Sequence, residues 1–269
     1  MFRLINFTTC YVRSVLFTAI ALFFLQQANF AQNMDQFLID GSSVYAHRIV
    51  KIKKSNPQLY STLEPFAVSF YGSKAYKLAY FPITKLESLN LQISAITLTE
   101  MGLNSGSINR IVQKADKENY LAPETDIEQI KKDTFASYGM ALLTNASGSK
   151  NLDDPKFFKS MWYFNLGTSM GDLAAFLTVW HVIKPYKTQY PSVFKSIAKA
   201  ATDIGEIATE APQDMDPTLL NMLKDIGQIG RQMDFSDQQM LKLSEKVQLA
   251  LMATLPADQS WKLGQLTEN

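Results

Sequence analysis

The side chains with the most chemical potential lie between Phe157 and Ile183. Asp172 stands inside an apolar stretch there, and a carboxylate kept from water has a raised pKa and can act as a general acid or base. Trp162 precedes it, and Trp180 and His181 follow it. The run FFKSMWYF sets Phe157, Phe158, Trp162, Tyr163 and Phe164 around most of a helix circumference, because successive helical residues turn by about 100°. Gly167, Gly171 and Ala175 recur every four residues on one face, where missing bulk admits a second helix, or a ligand, against the backbone. Trp162, Gly167, Gly171, Asp172, Trp180 and His181 are therefore the candidate ligand-binding residues.

Each of them also has a structural reading, and that reading is preferred. Ala201 and Gly205 form a small face like that of Gly167 and Gly171, so helices over 155–183 and 191–210 are expected to cross there. Ser169 and Asp172 have the spacing of a capping box. Gly167 would then end one helix and Ser169 begin another, leaving Asp172 at the new N-terminus or as a buried hydrogen-bonded acid. His181 lies nine residues after Asp172. On a continuous helix the two face opposite sides and form no dyad, and His181 suits a helix C-terminus. No residue is assigned a catalytic role.

Other chemistries lack their residues. The only histidines are His47 and His181, and Cys10 is the only cysteine. No HExxH pair, GxSxG elbow, GxxxxGK loop or complete EF-hand loop occurs, and no metal or cofactor is expected. Asp203, Glu206 and Glu210 share one side of a helix and read as a solvated acidic face. His47, Arg48, Lys51, Lys53 and Lys54 read likewise as a solvated basic face. A formal charge of +1, from 26 basic and 25 acidic residues, offers no excess to neutralise nucleic-acid phosphates.

Residues 1–31 read as a secretory signal peptide. Arg3 and Arg13 supply a positive start without acids, Ser14–Leu25 is an apolar run, and Ala31 offers a cleavage position. The run is short for a bilayer span, which needs about 20 residues. Cleavage would take away two Arg, no acid and Cys10, leaving 238 residues at formal charge −1 without a thiol, which suits an oxidising compartment. No later segment reads as a membrane span.

The elements that position these residues read as helices. Ser61–Glu64, Thr84–Glu87, Thr125–Glu128 and Ser236–Gln239 match capping boxes, and Asp154-Pro155 and Asp216-Pro217 pair an N-cap with a first-turn proline. Helices are expected over about 34–54, 62–80, 83–101, 107–118, 126–144, 155–183, 191–210, 217–233 and 237–254. Leu219, Leu223, Ile226 and Gly230 line one face, as do Met240, Leu243, Val247, Leu251 and Leu255. Leu89, Leu91 and Ile93 also alternate as a strand would, so a β-hairpin over 66–98 is the alternative. The fold expected is one all-α domain over 32–269, a bundle of eight or nine helices, with Asn145–Asp154 as a loop that could divide it into two helical halves. A sequon, Asn145-Ala-Ser147, falls in that loop. GSKAYKLAYF (72–81) and GTSMGDLAAF (167–176) share four residues at matching offsets, a hint of duplication too short to separate from chance.

These readings favour an exported, non-enzymatic binding or interaction protein of the cell envelope, periplasmic or secreted. Its partner would be another envelope protein. One alternative is a carrier of an apolar small molecule or lipid, held among the aromatics and beside Gly167 and Gly171. The other is an enzyme built on carboxylates such as Asp172, which requires a second titratable group beside it.

Overall fold

The computed structural model describes residues 41–78, 85–102, 139–140, 142–151 and 153–256, with only the backbone for 85–92. The expected signal peptide, the start of the helix over 34–54, the Thr84 and Thr125 capping boxes, the helix over 107–118 and most of that over 126–144 lie outside the described residues. Every regular element among the described residues is helical. The helices are α1 (41–55), α2 (Pro57–Leu78), α3 (Lys85–Glu100), α4 (142–147), α5 (Pro155–Thr178), α6 (Trp180–Ile183), α7 (Pro191–Thr209), α8 (Pro217–Arg231) and α9 (Asp237–Ala253). A 3₁₀ turn, Lys184–Tyr186, follows α6. Phe66–Leu78 and Lys85–Glu100 are both helical, so the hairpin alternative is excluded.

The start signals act as expected in α5, α8 and α9. Asp154 Oδ1 accepts from the Lys156 amide at 2.8 Å, and Asp216 Oδ1 accepts from the Thr218 amide at 2.7 Å. Ser236 Oγ accepts from the Gln239 amide at 3.3 Å. The Gln239 side chain reaches past Ser236 to the amides of Asp234 and Phe235, at 2.8 and 3.2 Å. That contact supports Phe235 at φ 61°, unusual for a residue with a Cβ. Asp216→Ala and Ser236→Ala are each expected to lower stability by about 1 kcal/mol, read as a shift in the urea midpoint.

Several expectations need correction. Ser61 does not start a helix: its hydroxyl donates to the Gln58 carbonyl at 2.8 Å, inside α2. The true start is Asn56-Pro57, where Asn56 Oδ1 accepts from the Leu59 amide at 3.1 Å. The stretch 145–154 is loop only after Ser147, so Asn145 of the sequon sits in the last turn of α4. No restart occurs at Ser169. Gly167 is mid-helix without the positive φ that would stop one, and α5 runs on through Asp172. The break comes instead at Val179, where the chain bends by 62°. Thr178 donates to the Ala174 carbonyl at 2.8 Å, a back-bond that bends helices.

Helices α2 and α5 pair along the centre of the structure. A Cβ on Gly167 would meet Ser69 Oγ and the Phe66 carbonyl, and one on Gly171 would meet the Phe70 carbonyl. Gly205 meets Gly227 of α8 instead, its notional Cβ 2.7 Å from the Gly227 Cα, and Gly230 lies over Ala201 and Thr202. The two small faces thus serve two different crossings, α5 on α2 and α7 on α8, rather than one between themselves. The α5 face takes the α2 backbone at Phe66 and Phe70, and the α7 face takes Gly227 and Gly230 of α8. No single described helix is long and apolar enough to cross a membrane; α5 and Trp180–Tyr186 reach that measure only together, across the bend.

Candidate functional site

The six sequence-level candidates fall in three places. Trp162 is buried between α5 and α7, its ring N–H donating to the Ile207 carbonyl at 2.7 Å. Gly167, Gly171 and Asp172 lie on the seam between α5 and α2. Trp180 sits beyond the bend, edge-on to Phe194 and stacked on Phe235 at centroid distances of 5.9 and 6.4 Å. Its ring N–H donates to Asp237 Oδ1 at 3.0 Å, and Lys184 pairs with the other oxygen at 2.6 Å. This clamp ties α6 to the start of α9. His181 is half-buried in α6, separated from Asp172 by the bend.

Asp172 is a buried acid with partners on α2. Ser73 Oγ donates to its Oδ1 at 2.5 Å, and Lys77 Nζ is 4.0 Å from its Oδ2. The same ammonium lies 5.2 Å from the centroid of the Phe176 ring. One residue after Ser73, Lys74 is fully buried and donates to Ser42 Oγ of α1 at 2.9 Å. Tyr71 donates to the Ser42 carbonyl at 2.6 Å. Loss of water disfavours the charged ammonium of Lys74 and brings its pKa down to about 7. Burial raises the pKa of Tyr71, and the neighbouring Tyr45 adds to the rise. Ser73 and Lys77 thus meet Asp172 where α2 packs on α5, and Tyr71 and Lys74 meet Ser42 where α2 packs on α1.

The sequence analysis found Asp172 and missed Ser42, Tyr71, Ser73, Lys74 and Lys77. A signal was present. Lys74 and Lys77 are three residues apart inside an apolar run, hence on one helical face, and Asp172 is their counterpart in a second apolar run.

The surface carries a different feature. The first turns of α5 and the connection from α7 to α8 enclose a groove of about 660 Å³ lined by Asp153, Pro155, Lys156, Phe158, Lys159, Ala211, Pro212, Gln213 and Asp214. Its floor is mostly apolar, and Phe158 leaves 38% of its surface open to solvent. Lys159 and Asp214 close one side with an ion pair at 2.5 Å. The hydrogen bond from Lys159 holds the Asp214 carboxyl below its usual range. Asp154, capping α5 beside the groove, is lowered mainly by the Lys156 amide.

The charged faces read from sequence are solvated only in part, since Arg48, Lys53 and Asp203 are half-buried. His47, Lys51 and Lys54 are exposed on α1, and Lys53 caps α3 by donating to the Glu100 carbonyl at 3.0 Å. Asp203 pairs with Lys199 at 2.5 Å and Glu206 is exposed. Among the described residues, no group of three or more His, Cys, Asp or Glu side chains is placed to hold a metal ion. No family model matches the sequence, and comparison with curated proteins and with solved structures gives no match.

Proposed function

We propose that this chain is an exported, non-enzymatic helical binding protein of the cell envelope, and that it recognises an apolar segment of a partner protein in the groove at the start of α5. The observation that carries this reading is the groove itself, with Phe158 partly open over an apolar floor. Its flanks carry both signs, Lys156 and Lys159 against Asp153 and Asp214, which suits a polypeptide better than a strongly charged ligand. Export is supported by Arg3, Arg13 and the apolar run Ser14–Leu25.

Two further readings have specific support. The groove volume falls in the range of about 300–1,000 Å³ usual for small-molecule sites, so a carrier role survives there. The face of Gly167 and Gly171 is taken up by the α2 backbone. A carboxylate enzyme gains a second titratable group beside Asp172 in Lys77, but both are buried.

A photo-crosslinking residue in place of Phe158, with one in place of the exposed Tyr186 as control, tests the groove in the native host. The expected result is one partner polypeptide attached at 158 and not at 186. An added mass of a few hundred daltons at 158 supports the carrier instead. Equal adducts at both positions sink the groove as a recognition surface.

A further inference from the structure

The groove at the start of α5 is rimmed by acids. Its lining holds Asp153 and Asp214 with Lys156 and Lys159. Within two residues of the lining along the chain stand Asp154, Glu210 and Asp216, and no further Lys, Arg or His. Lys159 is already paired with Asp214. That leaves Asp153, Asp154, Glu210 and Asp216 against the single ammonium of Lys156. Asp153, Glu210 and Asp216 are exposed. The helix ends change this balance little. The starts of α5 and α8 each bring about half a positive charge, and the end of α7 about half a negative one.

The sign of this rim selects among apolar visitors. An exposed charge taken singly contributes little. Several of one sign around a low-dielectric opening act as one field, drawing in cations and repelling anions. The rim therefore disfavours a fatty-acid carboxylate and the phosphates of an anionic lipid surface. Phe158, Pro155 and Pro212 keep an apolar floor for large side chains. The exposed aromatic Tyr186 lies in the opposite setting, between Lys184 and Lys187. A preference for cations is thus a property of the groove and not of exposed rings in general.

We infer that the partner segment bound in this groove is cationic, its large apolar side chains lying on Phe158, Pro155 and Pro212 while flanking Lys or Arg side chains pair with Asp153, Glu210 and Asp216. This rests on the groove being a recognition surface for a polypeptide, and it adds the charge of what is recognised.

Short synthetic peptides with a Leu-Phe-Leu core test it, flanked on both sides by lysine, by glutamine or by glutamate. Each is dye-labelled and titrated with the full chain by fluorescence anisotropy. The lysine peptide is expected to bind on the order of tenfold more tightly than the glutamate peptide at about 10 mM salt, with most of the gap closed at about 150 mM, where the Debye length is about 8 Å. The glutamine peptide should fall between them, and Phe158→Ala should weaken all three. Combining Asp153→Asn, Glu210→Gln and Asp216→Asn should bring the three affinities together. The fold should tolerate this, because the positions are exposed and asparagine caps a helix as well as aspartate does. Lysine and glutamate peptides bound equally, both through Phe158, overturn the cationic partner and leave the groove standing as a recognition surface. A lysine preference that survives the triple variant or Phe158→Ala also overturns it, since the preference then arises elsewhere. If no peptide binds through Phe158, the inference and the reading of the groove fall together.

Discussion

Alanine at Gly171 is expected to cost about 2–3 kcal/mol of stability, and leucine there more than about 4, enough to abolish folding in a protein of ordinary stability. A Cβ at this position would run into the Phe70 carbonyl and stand 3.0 Å from Ser73 Cβ. The carbonyl is part of the α2 ladder and cannot turn away as a side chain could. Relief requires the whole α2–α5 pair to separate, which opens the seam holding Ser73, Lys77 and Asp172. Gly167→Ala should behave alike, since its Cβ meets the Phe66 carbonyl and Ser69 Oγ, itself bonded to that carbonyl at 3.0 Å. The exposed Asn165→Ala on the same helix is the control, expected within about 0.5 kcal/mol of the parent. Denaturant titration with an unchanged slope decides the matter, and a Gly171→Ala protein as stable as its parent would remove the close approach from the fold.

That close approach was half legible in the sequence. The four-residue recurrence of Gly167, Gly171 and Ala175 marks a face for a crossing, because helical periodicity is a local property. Which helix fills it is a tertiary property. Ala201 and Gly205 made an equally good partner on pattern alone, and the structure gives that place to Phe66–Ser73 of α2. The same division holds for the caps. Asp154, Asp216 and Ser236 act where their spacing put them, whereas Ser61 matches the spacing five residues too late, because Asn56-Pro57 had already begun the helix. The break at Val179 was hidden because no Gly or Pro marks it, and the contact that holds the chain beyond it, Trp180 to Asp237, spans 57 residues. The groove was equally hidden, since residues 153–159 and 211–214 become neighbours only when α5 and α7 pack. Asp172 was found because a charge in an apolar run stands out. Lys74 and Lys77 stand out by the same rule, and were missed because lysines are usually read as snorkelling to the surface.

The buried Lys74 leads to a pH dependence whose sign can be fixed. Its folded pKa lies at about 7, below the ordinary 10.5. Between these values the unfolded chain binds more protons at this site than the folded one, so stability rises with pH across that window. Below about pH 7 both states are protonated at this site and the burial of a charge counts in full, on the order of 5 kcal/mol against folding. The rise ends near pH 10. Tyr71 and Tyr45 have pKa values raised by burial, so above the ordinary tyrosine value only the unfolded chain ionises and stability falls again. Lys74→Met keeps the length of the side chain and removes the ammonium. It also removes a donor to Ser42 Oγ, 2.9 Å away, at a cost of about 1 kcal/mol. The two effects have opposite signs and different pH dependence. The variant should be more stable than the parent below about pH 7, by up to a few kcal/mol, and slightly less stable near pH 10. The stability curves of parent and variant should therefore cross, with the rising limb between about 7 and 10 absent from the variant. Urea midpoints taken at pH 6, 8 and 10 are enough to see it. A parent whose midpoint is flat over that range, or a Lys74→Met protein that is weaker by the same amount at every pH, would mean that Lys74 keeps its charge compensated in the fold throughout.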